Sequence, residues 1–158
     1  NNIQSSFFGM ISGIIIAVPS LLILVFNAYV LGFVGHYTVA ETNIFILWRL
    51  IPHGILEIPA VLISLSIGIH FGFSLMYNSL KKLDKRMNRL NTILLMMLSL
   101  IIFPLSFIFY VVHTLSQAEL RQRFIANFTG GLRIFIFIVV PLLVIAGVIE
   151  GILIWAVG

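Results

Sequence analysis

The sequence contains no cysteine among its 158 residues, and only 9% of them are charged. Without cysteine the chain has no disulfide framework, no thiolate nucleophile and no thiolate metal ligand. Soluble domains carry about a quarter charged residues. So little charge excludes a soluble enzyme, a disordered tail and a nucleic-acid-binding module, even though Lys and Arg outnumber Asp and Glu by nine to five.

The sequence is strongly apolar, since 61% of its residues are hydrophobic and its mean hydropathy is +1.18. Four long apolar stretches stand out, at 7–35, 52–78, 92–115 and 132–157. A helix needs about 20 residues to cross a bilayer core of ~30 Å. The sequence therefore predicts an all-α polytopic membrane bundle of about four spans, forming a single transmembrane domain over 1–158. Residues 43–51, ahead of Pro52, are expected to form a short broken or re-entrant helix.

Most of the positive charge lies in one polar stretch, 80–91, which contains Lys81, Lys82, Lys85, Arg86 and Arg89. Lys and Arg are enriched in cytoplasmic loops, whereas the polar stretch 36–43 contains neither. We therefore expect a multi-pass protein of the cell membrane with 80–91 in the cytoplasm. Arg121, Arg123 and Arg133 fit this orientation less well, because simple alternation of four spans places them outside.

Small residues recur at four-residue intervals in the first two spans. They are Gly9, Gly13 and Ala17 in the first, and Ala60, Ser64, Gly68 and Gly72 in the second. Lipid gives helices no hydrophobic reason to associate, so membrane helices pack closely through such small residues. The pattern predicts a tightly packed bundle with lipid around it, and a second copy or other membrane proteins as partners.

Few polar side chains interrupt the spans, and the candidate functional groups among them are Asn27, Arg49, His53, Glu57 and Glu150. An ionisable group in the bilayer core is costly unless it is paired or hydrated. His53 and Glu57 are four residues apart and share a helix face, and Arg49 is a natural countercharge to Glu57 or Glu150. Asn27 is expected to donate a hydrogen bond between helices. For His53, Glu57 and Glu150, the alternative to a functional role is a structural Arg–Glu or His–Glu clamp that holds the bundle together.

Connectivity sets a limit on how these groups can meet. In a plain four-span path, His53 and Glu57 lie near one membrane face and Glu150 lies near the other. No catalytic residue, cofactor or metal site is predicted. The chain lacks the second histidine of a His-Glu-x-x-His helix, and no serine stands in a nucleophile-elbow setting.

The string Pro52-His53-Gly54-Ile55-Leu56-Glu57-Ile58-Pro59-Ala60 resembles the signature of the stage II sporulation protein M family. Other stretches fit the same family in order: Asn1-Asn2, Asn27, Gly68-Ile69-His70-Phe71-Gly72 and Ile149-Glu150-Gly151. The resemblance implies an integral membrane fold. It also implies a non-enzymatic role, because the family's bacterial namesake anchors two peptidoglycan-remodelling enzymes. Family members usually carry one more helix upstream of Asn1-Asn2, and we expect one here.

Three functions remain open at this point. The first is a membrane scaffold that assembles partner proteins. The second is a small transporter or channel that uses the embedded Asn, His and Glu groups as an ion or proton path, since polar groups at depth mark transporter sites. The third is an intramembrane metal-dependent hydrolase.

Overall fold

The computed structural model describes residues 2–15, 17–41, 47–83, 88–102 and 105–157, without the side chains of 41, 47–53, 154, 156 and 157. Every regular element in these ranges is a helix. Three helices are long and apolar enough to cross a membrane: Val18–Ala40, Gly54–Leu83 and Ala118–Leu153. The prediction of an all-α membrane bundle is confirmed.

The helices follow one another along the chain as α1 (Asn2–Ser12), α2 (Val18–Glu41), α3 (Leu47–Leu83), α4 (Arg89–Ile101), α5 (Leu105–Ser116), α6 (Ala118–Ile134) and α7 (Val140–Val157). A π-helical turn, Phe135–Val139, joins α6 to α7. α3 is the central helix, because every other helix contacts it.

The first apolar stretch divides into two helices. Between α1 and α2, Ala17 adopts a φ of 62°, a left-handed conformation that helps to reverse the chain. Pro19 lies in the first turn of α2, where its missing N–H needs no partner. α1 runs in the same direction as α3, since Ser6 lies beside Ser64 and Met10 lies beside Gly68. α2 runs back, because only residues 42–46 separate its end from the start of α3.

α3 is continuous across Pro52, which is the sixth of its 37 residues. The break expected before Pro52 is therefore absent from Leu47 onward. Residues 43–46, which belong to the expected broken helix, lie outside the described residues. A helix of 37 residues is about 55 Å long at 1.5 Å per residue, so α3 exceeds the thickness of a bilayer core.

The third apolar stretch, 92–115, folds as two short helices instead of one long one. α4 has 13 residues and α5 has 12, or about 20 Å and 18 Å, so neither can cross a core of ~30 Å alone. The two helices meet near the end of α4 and the start of α5, where the hydroxyl of Ser99 pairs with that of Tyr110 at 2.6 Å and Ser106 Oγ donates to the Ser99 carbonyl at 2.6 Å. We call α4 and α5 together the apolar hairpin.

The last helix begins well before the predicted start at residue 132. α6 and α7 form one long rod that runs antiparallel to α3. Glu119 pairs with Lys82 at one end of this contact, and Asn127 Nδ2 donates to Ser74 Oγ at 2.7 Å farther along. The polar sequence of α6 is thus part of the bundle.

Two apolar clusters fill the interior at different heights along α3. The first joins α1, α3 and the π turn to α7, through Met10, Ala60, Phe71, Phe135, Val139 and Leu143. The second joins α3 to the apolar hairpin, through Leu75, Met76, Leu80, Met96 and Tyr110. α3 therefore packs against α1 and α7 through Ala60 and Phe71, and against the apolar hairpin through the residues from Leu75 to Leu80.

Candidate functional site

α1 and α3 approach each other so closely that their backbones touch. A Cβ atom built on Gly68 would lie 2.7 Å from the carbonyl oxygen of Met10 and 2.8 Å from that of Gly9. A Cβ atom on Gly13 would overlap with the backbone of Gly68. Because these neighbours are main-chain atoms, they cannot move aside without moving a helix. The small residues predicted to form packing stripes thus allow two backbones of the same chain to touch.

Serine hydroxyls bond to one another and to the backbone within this contact, while the buried Ser6 Oγ has no hydrogen-bond partner among the described residues. Ser64 Oγ donates to the carbonyl of Ser6, and Ser20 Oγ donates to the carbonyl of Gly9 at 2.7 Å. Ser12 lies 3.1 Å from Ser20, hydroxyl to hydroxyl. Ser64, Ala60 and Ala17 are fully buried, as is Gly72. The stripe therefore acts as an internal seam, in which small size and short hydrogen bonds hold α1 and the start of α2 on α3.

A second polar contact, between α3 and α6, was not predicted from the sequence. Ser74 Oγ accepts hydrogen bonds from Asn127 Nδ2 at 2.7 Å and from Asn78 Nδ2 at 3.0 Å. Nearby, the hydroxyl groups of Ser79 and Thr114 lie 3.3 Å apart and join α3 to α5. Asn78 and Asn127 lie in stretches that also carry Lys or Arg, so the sequence did not set them apart as the apolar surroundings of Asn27 did.

Asn27 does not make the predicted bond between helices. It lies on the exposed side of α2, and its Nδ2 donates to the carbonyl of Ile23 in the same helix at 2.7 Å. The reason is that α2 contacts α3 along one side only, and Asn27 is on another side. The prediction that Asn27 is an interhelical donor is therefore wrong within this chain.

Glu57 and Glu150 lie at the same end of the bundle. The α3–α6 contacts pair Ser74 with Asn127, and Phe71 with Phe128 at 5.6 Å between ring centroids. Counting on along both helices, Glu57 is level with about residue 144, and Glu150 is about six residues, or ~9 Å, nearer the start of α3. The expectation that they occupy opposite membrane faces is corrected, because the apolar hairpin returns to the end that it left.

Glu150 continues the side of α7 that faces α3. Val139, Leu143 and Ala146 are buried at helical spacing, and Glu150 is the next residue on that side, although it is exposed. Glu57 is half-buried on α3. The backbones of Arg49 and His53 belong to the first turns of α3, but their side chains lie outside the described residues. Among the described residues, no group of three His, Cys, Asp or Glu could hold a metal ion.

The opposite end of the bundle is basic. Glu119 bridges Lys82 of α3 and Arg123 of α6, the latter at 2.9 Å. Arg89 begins α4 close by in sequence, and Arg121 is exposed on α6. Lys85 and Arg86 lie outside the described residues. Arg121 and Arg123, which appeared to conflict under four alternating spans, therefore lie at the same end as Lys82. Arg133 is level with about residue 68 of α3, farther along the bundle.

The sequence was compared with protein families, curated proteins and solved structures. The family model for stage II sporulation protein M matches residues 1–153. This match includes the string at 52–60 and Glu150, together with the helices from α1 through most of α7. No curated protein and no solved structure matches the chain.

Proposed function

Because this chain belongs to the stage II sporulation protein M family, we propose that it is a non-enzymatic membrane scaffold that assembles partner membrane proteins. The small residues of α1 and α3 are buried in the internal seam, where they hold the bundle together. Contacts with other proteins then fall to surfaces that the bundle leaves outside. α2 offers one such surface, since only 6% of its apolar membrane-length window is buried.

The observation that carries the proposal is an aromatic ladder on the outer side of α2. Tyr29, Phe33 and Tyr37 stack at four-residue intervals, with 6.3 Å between successive ring centroids. Their exposed fractions are 68%, 58% and 58%. Aromatic side chains give large, rigid contact areas and are enriched at protein interfaces. A stacked ladder is already ordered before a partner helix binds, which lowers the entropy cost of association.

The test is to remove the ladder and count the partners. We would replace Tyr29, Phe33 and Tyr37 by alanine together, crosslink in cells of the source organism, and quantify co-purified membrane proteins by mass spectrometry. The matched control is Leu31→Ala with Val34→Ala, which shortens exposed side chains on a different side of the same helix. Three aromatic anchors that contribute over 1 kcal/mol each predict a loss of at least about tenfold in partner recovery.

Two results would reject the scaffold. One is equal recovery of the same partners from the ladder variant and the control variant. The other is the purification of a folded bundle with no partner after crosslinking. A second copy of this chain would be recognised by differently tagged copies, so self-association and assembly with other proteins are separate readouts.

A second candidate function, a proton or ion transporter, is favoured by the position of Glu57 and Glu150 at one end of the bundle. It predicts that protein reconstituted in vesicles dissipates a pH gradient and that Glu150→Gln abolishes the flux. Glu119→Gln is the matched control, because Glu119 lies at the basic end. If vesicles that contain correctly folded wild-type protein keep their pH gradient, the transporter is rejected and the scaffold proposal is unaffected.

A further inference from the structure

The apolar hairpin begins and ends at the basic end of α3. Its first helix, α4, starts at Arg89, six residues after α3 ends at Leu83. Its second helix, α5, ends close to α3 again, because Thr114 and Ser79 lie 3.3 Å apart. Two residues beyond α5, α6 starts, and Glu119 in its first turn pairs with Lys82. The hairpin therefore begins and ends at the same level, next to the C-terminal end of α3.

The described part of the hairpin reaches about a third of the way along α3 from the C-terminal end of that helix. α5 runs in the same direction as α3, since Tyr110 packs with Leu75 and Met76 and Thr114 lies beside Ser79. Counting back by the same offset, Leu105 is level with about residue 70. That level is about 18 Å from Lys82 at 1.5 Å per residue, which is roughly half the thickness of a bilayer core.

The surface of the hairpin is apolar to its tip. Ile101 is 79% exposed and Leu105 is 72% exposed, and the outer side of α5 forms an open groove of about 440 Å³ lined by Leu105, Ile108, Phe109, Val112, His113 and Ser116. Polar groups are mostly turned inward, where Ser99, Ser106 and Tyr110 bond to one another. Large exposed apolar patches of this kind mark contact with a membrane or a partner.

Charge identifies which of these covers the hairpin. The apolar surface ends where the basic residues begin, and Lys82, Arg89, Arg121 and Arg123 all lie at the base of the hairpin and not at its tip. A leaflet presents the same order of chemistry, with acyl chains inside and anionic headgroups at the surface. Basic groups next to a membrane are attracted to anionic lipid headgroups.

We infer that residues 88–102 and 105–117 form a re-entrant hairpin, which enters and leaves the membrane on the basic side and is covered by the acyl chains of that leaflet. Its base meets anionic headgroups. Lys82, Arg89, Arg121 and Arg123 then face the same compartment, which the positive-inside rule assigns to the cytoplasm. The chain from α3 to α7 crosses the membrane twice and not three times.

The sidedness of two positions tests the path of the chain. The protein has no native cysteine, so Asn88→Cys and Gln117→Cys can each be probed in sealed vesicles with a membrane-impermeant maleimide from either side. Both positions are exposed. We expect both to react from the same side. Reaction from opposite sides would show a spanning segment and overturn the inference.

A second measurement identifies what covers the hairpin. Nitroxide labels at Ile102→Cys and Leu105→Cys, in vesicles of phosphatidylethanolamine with phosphatidylglycerol, report their collisions with oxygen and with a water-soluble nickel chelate. Acyl chains predict frequent oxygen collisions and rare nickel collisions at both labels. Frequent nickel collisions would place the tip in water. Rare collisions with both reagents would place it against a second copy or another protein, and either result overturns the inference.

Discussion

Gly13 of α1 and Gly68 of α3 meet backbone against backbone, so that a Cβ atom on Gly13 would overlap with the main chain of Gly68. Only glycine permits such an approach at both positions. The contact fixes the distance between two helices, and it also fixes the turn that leads from α1 into α2, because Ser20 of α2 bonds to Gly9 at 2.7 Å across the same contact.

Replacing Gly68 by alanine should force α1 away from α3. The added methyl group would lie within 2.8 Å of two carbonyl oxygens and of Ser20 Oγ, and overpacking against rigid atoms costs about 3 kcal/mol. The free energy of unfolding, measured by SDS titration in mixed micelles, should fall by at least about that amount. Gly147→Ala is the control, because nothing lies within 4 Å of its added Cβ. Equal stability of the two variants would contradict the close contact.

Two adjacent glycines in α6 should respond in opposite ways. A Cβ atom on Gly131 would lie 2.5 Å from Phe71 Cζ and 2.6 Å from Ile67 Cγ2, whereas one on Gly130 meets nothing within 4 Å. We expect Gly131→Ala to cost about 2 kcal/mol and Gly130→Ala to gain about 0.5–1 kcal/mol from helix propensity. The same unfolding titration checks both, and a reversed order would mean that α6 does not pack on α3 in this orientation.

Asn127→Ala should weaken the contact between α3 and α6. It removes the hydrogen bond to Ser74 at 2.7 Å, and bonds between membrane helices are worth about 0.6–1.7 kcal/mol. Thr129→Ala is the control, since its hydroxyl bonds only to Ile125 of its own helix at 2.8 Å. The control should change stability by less than about 0.5 kcal/mol. Thermal unfolding in detergent distinguishes the two, and a larger loss in the control would argue against the Asn127 contact.

The turn at Ala17 should tolerate glycine and reject valine. Ala17 is fully buried and has a φ of 62°, a region that costs an L-residue about 1–2 kcal/mol and glycine almost nothing. Ala17→Gly should therefore stay within about 1 kcal/mol of the parent, while Ala17→Val, which is both β-branched and larger, should lose about 3 kcal/mol or more. Similar unfolding midpoints for the two variants would be inconsistent with a left-handed turn.

Local patterns in the sequence were enough to predict the membrane class and to single out the small residues. The spacing of Gly9 and Gly13, and of Ser64 and Gly68, is a property of each helix alone, so it can be found without knowing which helices meet. That these two stripes would face each other within one chain depends on the turn at Ala17. No composition pattern indicated that turn.

The path of the chain was harder to predict because it depends on contacts between distant residues. The stretch 92–115 is long enough to span a bilayer, and only the bonds between Ser99 and Tyr110 and between Ser79 and Thr114 show that it folds back. The wrong expectation for Glu150 has the same cause. Counting 92–115 as a membrane crossing reverses the direction of every helix that follows it. Asn127 was overlooked because its partner, Ser74, is 53 residues away.

The π turn between α6 and α7 has a mechanical consequence. Pro141 has no N–H to offer the carbonyl of Phe137, and just before it the N–H of Val140 bonds to Phe135, five residues back. The regular backbone hydrogen-bond ladder of the long rod is interrupted at this turn, and such interruptions are where helices bend. Because Val139 and Leu143 pack with Ala60 and Phe71 of α3 beyond this turn, the direction of α7 is set by side-chain packing on α3 and not by its own backbone ladder, and that packing determines where Glu150 lies.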